Sequence, residues 1–433
     1  MAKPRQSVNV GLLGLGVIGG GVARVLLGKA ASLSAEVGCP LKLKRIAEVD
    51  ASRARSVPGA ASLITSKADE VLNDPEIDIV IEVIGGENPA VEYMQRALSG
   101  GKHVVTANKE VIAKHGPELL DLAQKNQVDL RFEASVGGGI PLISPFRQDL
   151  LANEITAVHA IINGTTNYIL TQMAKEGQDF AVALKQAQEL GYAERNPTND
   201  VEGIDAAYKI SILASLAFHT IVRPEDVYHE GISRLTGRDF RYAKELGYAI
   251  KLLAIAKKDD NAVQARVHPV FVPEDFILAK VDDVFNAVLL DGDLVGKLLF
   301  YGKGAGAAPT SSAIVADVIR LAQNISLGVP QTPRLHLEHR LTIKHMSDLD
   351  TRYYIRLNVA DRPGVLAQIS TILGNHAISI ASVIQKEADP QAQTAEIVIM
   401  THPARESGMQ QALRDTQALA VTKEVANFIR VED

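Results

Sequence analysis

Up to about residue 135 the chain alternates short β-branched runs with stretches of helical periodicity. VNVGLLG (8–14), LKLKRIAEV (41–49), IDIVIEV (77–83), KHVVTA (102–107) and VDLRFEA (128–134) predict strands. Between them, VIGGGVARVLLGKAASL and NPAVEYMQRALSG predict helices. Strands separated by helices form βαβ units, whose parallel sheet is covered on both faces. This part reads as α/β, a doubly wound nucleotide-binding domain.

From Ile140 the rhythm changes to consecutive helices, over about 140–151, 165–176, 179–190 and 203–219. Strand-like runs then group together: YAIKLLAIAKK, VQARVHPVFV, NAVLLDG and LVGKLLFYG. That order predicts an α+β domain with a largely antiparallel sheet. GVPQTPRLHLEHRLTIKHMSDL is polar, has two prolines and shows no clear period, which marks a linker. After it, YYIRLNVA, a helix from Pro363, ISIASVIQK, TAEIVIMTH, a second helix and a strand near VANFIRV give a βαββαβ, ferredoxin-like order. The expected domains are 1–135, completed by about 303–325, then 136–302, a linker over 326–350, and 351–433.

Composition narrows the function. The 433 residues are 46% hydrophobic and 22% charged, enough for large soluble cores. With 45 basic against 51 acidic residues and a net charge of −6, there is no footprint for nucleic acid. The single cysteine, Cys39, excludes a disulfide framework and a thiolate cluster. No signal-peptide pattern and no apolar run of about 18 residues is present, so no membrane partner and a cytoplasmic location are expected.

Gly14-Leu15-Gly16-Val17-Ile18-Gly19 closes the first strand and opens a helix, the context in which G-x-G-x-x-G carries meaning. Its glycines allow a tight turn and bring backbone N–H groups close to a pyrophosphate at the helix N-terminus. The alternative is a strand-to-helix turn that needs small residues only for packing. A Rossmann-like domain binding NAD or NADP follows. Glu48 and Asp50 after the second strand suit a free ribose 2′-hydroxyl, whereas Arg45, Arg53 or Arg55 suits a 2′-phosphate, so the choice stays open.

Lys109, in TANKE, follows a strand at the edge where such sheets bind ligands. Lys209 lies on the apolar stripe of a predicted helix, one turn after Asp205. A buried lysine is costly unless paired, so the pair is either a structural ion pair or a catalytic group with its partner. The preceding loop, with Tyr192, Glu194, Asn196, Asn199, Asp200 and Glu202, favours a pocket for a substrate bearing an ammonium group. NGTTNY (163–168) offers hydroxyls and N–H groups at a helix start, suited to a carboxylate. GKGAG (302–306) is a second backbone surface toward the cofactor or a flexible turn. EASVGGGI (133–140) is a hinge, or one carboxylate and several carbonyls around a hard cation.

Taken in this order, GLGVIGGGV, TANKE, NGTTNY, GYAERNPTNDVEGIDAAYK and GKGAG resemble homoserine dehydrogenase over about residues 8–325. From Tyr353 the chain resembles the ACT domain, through Asp361-Arg362-Pro363-Gly364-Val365-Leu366. The resemblance implies reversible oxidation of L-homoserine to L-aspartate 4-semialdehyde, with Lys209 as proton carrier and Lys109 beside the nicotinamide. It implies substrate contacts from Glu194, Asp205, Asp200, Tyr192, Gly164, Thr165 and Thr166. Cofactor contacts would come from Gly14, Gly16, Val17, Ile18, Gly19, Arg45, Asp50, Thr106, Asn108, Lys109, Gly191, Gly304 and Gly306. Glu133, Val136, Gly138 and Ile140 match the family's monovalent cation site, usually sodium.

For the ACT domain, Asp361, Pro363, Gly364, Val365, Asn375 and Ile378 match an effector site, most plausibly for L-threonine. The alternative there is a dimerisation module without a ligand. A homodimer or homotetramer is expected either way, and no aspartate kinase segment is expected. The competing readings are another amino-acid or hydroxy-acid dehydrogenase, or a non-catalytic nucleotide sensor. Retention of both Lys109 and Lys209 speaks against a sensor.

Overall fold

A computed structural model describes residues 6–259, 261–329, 335, 337, 341–389 and 391–432. The chain divides into two compact units, Met1–Val158 with Tyr208–Asp226 and Asn286–Leu341, and His159–Ala207 with Val227–Phe285 and Thr342–Asp433.

The first unit holds a six-stranded parallel sheet of β1 (Val8–Leu13), β2 (Leu41–Ala47), β3 (Ile64–Thr65), β4 (Ile79–Glu82), β5 (His103–Thr106) and β6 (Leu130–Arg131). Its order, β3-β2-β1-β4-β5-β6, is that of a doubly wound dinucleotide fold. The central strands β1 and β4 bury almost every side chain, because helices cover both faces. The helix Ala307–Leu327 returns to this core, where Ile314, Val318 and Leu321 pack with Val22 and Leu26.

Two expected helices come out differently. VIGGGVARVLLGKAASL forms Val17–Gly28 and Ala30–Val37, bent by 78°. Gly28, a weak helix former, closes the first of them. The helix expected over 140–151 shrinks to Ile143–Arg147. Gly137 and Gly138 hold left-handed conformations before it, and Pro141 disfavours helical geometry at Ile140. The edge strand β3 escaped the sequence reading because two residues show no period.

In the second unit, Tyr248–Asp259 and Ala262–Pro273 form a long antiparallel hairpin paired from Ala262↔Asp259 to Pro273↔Tyr248. The carboxyl-terminal strands follow the order Thr422–Val431, Asp350–Ala360, Thr394–Thr401, Ile380–Asp389, all antiparallel. With the helices Val365–Asn375 and Glu406–Gln417 this is the expected βαββαβ module, its core built on Tyr353, Ile355, Ile369, Leu373, Ile397 and Met409.

The module's sheet is joined to the hairpin, since Val270 and Phe271 pair in parallel with Arg430 and Val431. Buried charges lie along this junction. Arg356 donates to Asp239 at 2.8 Å and to Glu396 at 3.0 Å. Glu432 accepts from Arg266 at 2.9 Å, His159 at 3.1 Å and Lys257. Part of the expected linker lies outside the described residues; within it, Thr342–Ile343 pairs with Ala262 and Val263. Among the described residues no single helix is long and apolar enough to cross a membrane.

Candidate active site

The glycine turn separates the end of β1 from the helix Val17–Gly28. Gly14 has φ +96°, and a Cβ there would lie 2.9 Å from the Val83 carbonyl oxygen. A Cβ on Gly19 would lie 2.0 Å from the Gly14 oxygen, so the helix seats directly on the turn. Gly16 is different: its φ is −67°, and the nearest atom to an added Cβ is Arg53 Nη1 at 3.8 Å. Packing does not require glycine at 16, whereas close approach of a pyrophosphate does. A cleft of about 350 Å³ opens beside it, lined by Gly14, Gly16, Val49, Arg53, Ile84 and Tyr93 among others. These features fit a dinucleotide.

The end of β2 sharpens the sequence reading. Glu48, not Asp50, is the acid tied to the glycine turn, accepting from the Leu15 N–H at 2.7 Å and the Asp50 N–H at 3.0 Å. Burial pushes its carboxyl up, but the backbone donors and Arg53 outweigh that and hold it below the usual range. Asp50 is exposed and receives Ser52. Arg45 reaches outward to Glu70 at 2.6 Å, while Arg53 bridges Glu48 and Asp50 at the cleft.

At the end of β4, Glu82 is fully buried and accepts from Thr106 Oγ1 and the Ile84 N–H, each at 2.7 Å. Burial raises its carboxyl above the ordinary value despite these donors. Thr106 in turn accepts from the Asn108 N–H at 2.9 Å, and Asn108 caps the next helix by accepting from Val111 at 3.2 Å. Lys109 is therefore fixed as the first residue of the helix Lys109–Lys125. Residues Ile112 and Gly116 of that helix face Ile212 and Ser215 of the helix Ile204–Phe218 across a small apolar cavity. Lys114 Nζ stands 5.8 Å from the Tyr208 ring. The helices carrying Lys109 and Lys209 thus meet within the first unit, and Lys209 is only 9% exposed.

The loop from Glu133 to Ile140 leads into the short helix Ile143–Arg147. The Glu133 carboxylate accepts from the N–H groups of Leu142, Ile143 and Ser144 at 2.6, 2.8 and 2.7 Å. It thereby caps the helix Ile143–Arg147. Gly138 comes so close to the 302–306 loop that a Cβ would meet the Gly304 oxygen at 2.4 Å. Gly304 itself rests on Asn286, whose amide nitrogen a Cβ would meet at 1.9 Å. Gly306, with φ +114°, caps the helix Ala307–Leu327.

In the second unit Asn163 caps the helix Gly164–Glu176, accepting from the Thr166 N–H at 2.8 Å. Thr165 Oγ1 donates to the Tyr192 carbonyl at 2.7 Å, and the Tyr168 and Tyr192 rings lie 5.1 Å apart. Glu194 is exposed, with its carbonyl held by Gln188. Gly191 is exposed with φ +75° in the turn before it. Asp205, 4% exposed, and Asp200 both receive the Asn163 amide. The structure thus joins Thr165 to Tyr192 and, through Asn163, Asp200 to Asp205. Glu82 stands out only in the structure, because its role depends on which strand ends become neighbours.

In the carboxyl-terminal module Gly364, with φ +87°, caps the helix that begins at Val365, and the Asp361 N–H donates to Gln393. Asp361 and Pro363 are exposed at that turn. Asn375 closes the same helix, about 16 Å along at 1.5 Å per residue, with Ile378 just beyond. A single copy therefore separates the two halves of the expected effector site.

A family model described as homoserine dehydrogenase matches residues 141–319, and one for the homoserine dehydrogenase NAD binding domain matches 14–133. An ACT domain model matches 353–421. A homoserine dehydrogenase of Neisseria gonorrhoeae is 42% identical over 432 residues, covering 99% of either chain, and one of Bacillus subtilis is 39% identical over 427 residues with the same coverage. The solved homoserine dehydrogenase from Thiobacillus denitrificans is 43% identical with a TM-score of 0.93, over 99% of this chain and 98% of that one. A hyperthermophilic archaeal homoserine dehydrogenase in complex with NADPH is 27% identical with a TM-score of 0.63, over 76% of this chain and all of that one. Glycine turn, lysine-bearing helices and full-length likeness agree: the chain belongs to the homoserine dehydrogenase family, as an NAD(P)-dependent oxidoreductase with an ACT domain.

Proposed function

We propose that this chain interconverts L-homoserine and L-aspartate 4-semialdehyde, with Lys209 as the proton carrier. The observation that carries this reading is a buried ammonium on a largely apolar helix, one turn after a buried acid in the first turn of that helix, which follows an acid-rich loop. Bound nicotinamide supplies or accepts the hydride. In the reducing direction negative charge develops on the substrate oxygen, and the Lys209 ammonium stabilises it and delivers a proton. Lys109, at the start of its helix, adds positive charge beside the reacting oxygen. Asp205, Asp200 and Glu194 receive the substrate's ammonium, and the N–H and hydroxyl groups of Gly164, Thr165 and Thr166 hold its carboxylate.

On this reading residues 1–135 with 303–325 bind the cofactor, 136–302 bind substrate, and 351–433 regulate. Arg53, at the mouth of the cleft, supports NADP over NAD, since a guanidinium there receives a 2′-phosphate. Carbonyls of Glu133, Val136, Gly138 and Ile140 would hold a sodium ion. An L-threonine site would form between Asp361–Val365 of one copy and Asn375–Ile378 of another, in a cytoplasmic homo-oligomer. The test is steady-state reduction of NADP and of NAD with homoserine, with and without threonine. Homoserine-dependent reduction, faster with NADP at low cofactor, is expected; absence of reduction with either cofactor would refute the reading.

A further inference from the structure

One side chain in the second unit, Asn163, has its amide nitrogen engaged by two acids and its oxygen by a helix start. The Asn163 amide nitrogen donates to Asp200 Oδ1 at 2.7 Å and to Asp205 Oδ2 at 2.9 Å. Its oxygen accepts from the Thr166 N–H at 2.8 Å and the Thr166 hydroxyl at 3.0 Å. The residue is 5% exposed. An amide nitrogen has two hydrogens, and here each goes to a different carboxylate. Those carboxylates come from different elements, Asp200 from the turn Thr198–Val201 and Asp205 from the first turn of Ile204–Phe218. Two like charges drawn toward one point repel, so a neutral double donor between them fixes their separation and direction without adding charge.

We infer that Asn163 is a positioning residue for the reaction: by sharing its amide hydrogens between Asp200 and Asp205 it aims both carboxylates at the substrate's ammonium group. The inference rests on the assignment of those acids to substrate binding given above. Other residue types do only part of this. Aspartate keeps the helix cap but loses both donors and adds a third negative charge. Serine keeps a capping oxygen for Thr166, adds no charge and cannot span the two acids. Because Asp205 precedes Lys209 by one turn, a misdirected Asp205 also misplaces the substrate relative to the proton carrier.

The test compares Asn163→Ser and Asn163→Asp in the full-length protein by steady-state kinetics, melting temperature and calorimetric binding of homoserine in the presence of NADPH. For Asn163→Ser, kcat/KM for homoserine should fall roughly ten- to a hundredfold, mostly through KM, as expected for two charge-assisted hydrogen bonds. The cofactor KM should stay within about twofold, and the melting temperature should fall by only a few degrees, since the cap survives while the hydrogen bonds to the buried acids are lost. Asn163→Asp should lose more than Asn163→Ser at pH 8 and recover toward it as the pH falls and the added carboxyl protonates.

An unchanged kcat/KM in Asn163→Ser overturns the inference. Equal loss of homoserine and cofactor binding together with a lowered melting temperature also overturns it, since that is the mark of a structural role alone. Failure of the underlying reading would appear separately, as wild-type protein that neither binds nor oxidises homoserine.

Discussion

Replacing Gly16 or Gly19 by alanine separates the binding role of the glycine turn from its packing role. At Gly19 the added Cβ stands 2.0 Å from the Gly14 oxygen and 2.9 Å from its carbonyl carbon, whereas ordinary contact begins at 3.4 Å. Both are backbone atoms, so relief requires the helix Val17–Gly28 to move off the turn. Overpacking of this kind costs about 1–3 kcal/mol or more, against a gain of at most about 1 kcal/mol from alanine's helix propensity. In a domain of this size each kilocalorie shifts the melting temperature by about 2–4 °C.

At Gly16 the backbone has an ordinary φ of −67° and the nearest atom is 3.8 Å away, so alanine fits the folded protein. The methyl group then occupies the approach of the pyrophosphate and removes at least one hydrogen bond to a charged group, worth about 1.5–3 kcal/mol, or ten- to a hundredfold in affinity. Calorimetric titration with NADPH and thermal melting read the two effects apart. Gly16→Ala should melt like wild type and bind NADPH at least about tenfold more weakly, and Gly19→Ala should lose both. Wild-type affinity in Gly16→Ala would refute the placement of the pyrophosphate at this turn.

Glu432 offers a pH-dependent test of the junction in the second unit. Burial alone would raise its carboxyl, but His159, Arg266 and Lys257 hold it well below the ordinary 4.5. A depressed folded value means its stabilisation is present above pH 4.5 and lost as the pH falls through the folded value. Glu432→Gln should cost about 3 kcal/mol near neutrality by leaving buried cations unpaired, with the gap from wild type narrowing in acid; a gap constant from pH 3 to 7 in melting experiments would contradict this. Glu194→Gln should raise KM for homoserine about tenfold with little change in kcat, the signature of lost uniform binding. An unchanged KM would remove Glu194 from the substrate site.

Much of this was legible because local chemistry and long-range role coincide. Gly14, Gly16 and Gly19 announce a strand-to-helix turn by spacing alone, and the structure adds that packing demands glycine at 14 and 19 but not at 16. Lys209 and Asp205 share a helix face, so their relation follows from a period of 3.6 residues. The tie of Glu48 to the glycine turn and the role of Glu82 are hidden, because each reads as one polar residue near a strand end. Their partners, Leu15 and Thr106, become neighbours only once β1 pairs with β2 and β4 with β5.

The capping role of the Glu133 carboxylate is hidden for a related reason: three N–H donors at 142–144 exist for it only after Gly137 and Gly138 turn the loop back. The joining of the carboxyl-terminal sheet to the hairpin was equally invisible, since two paired residues, Val270 and Phe271, leave no period.

The central claim is that Lys209 carries the proton. Pre-steady-state oxidation of NADPH by L-aspartate 4-semialdehyde, followed in Lys209→Ala beside wild type, tests it most directly. The account predicts a fall of about two orders of magnitude or more in the rate of the chemical step, with NADPH affinity within about twofold of wild type. A chemical step at the wild-type rate in a variant that still binds NADPH would contradict it.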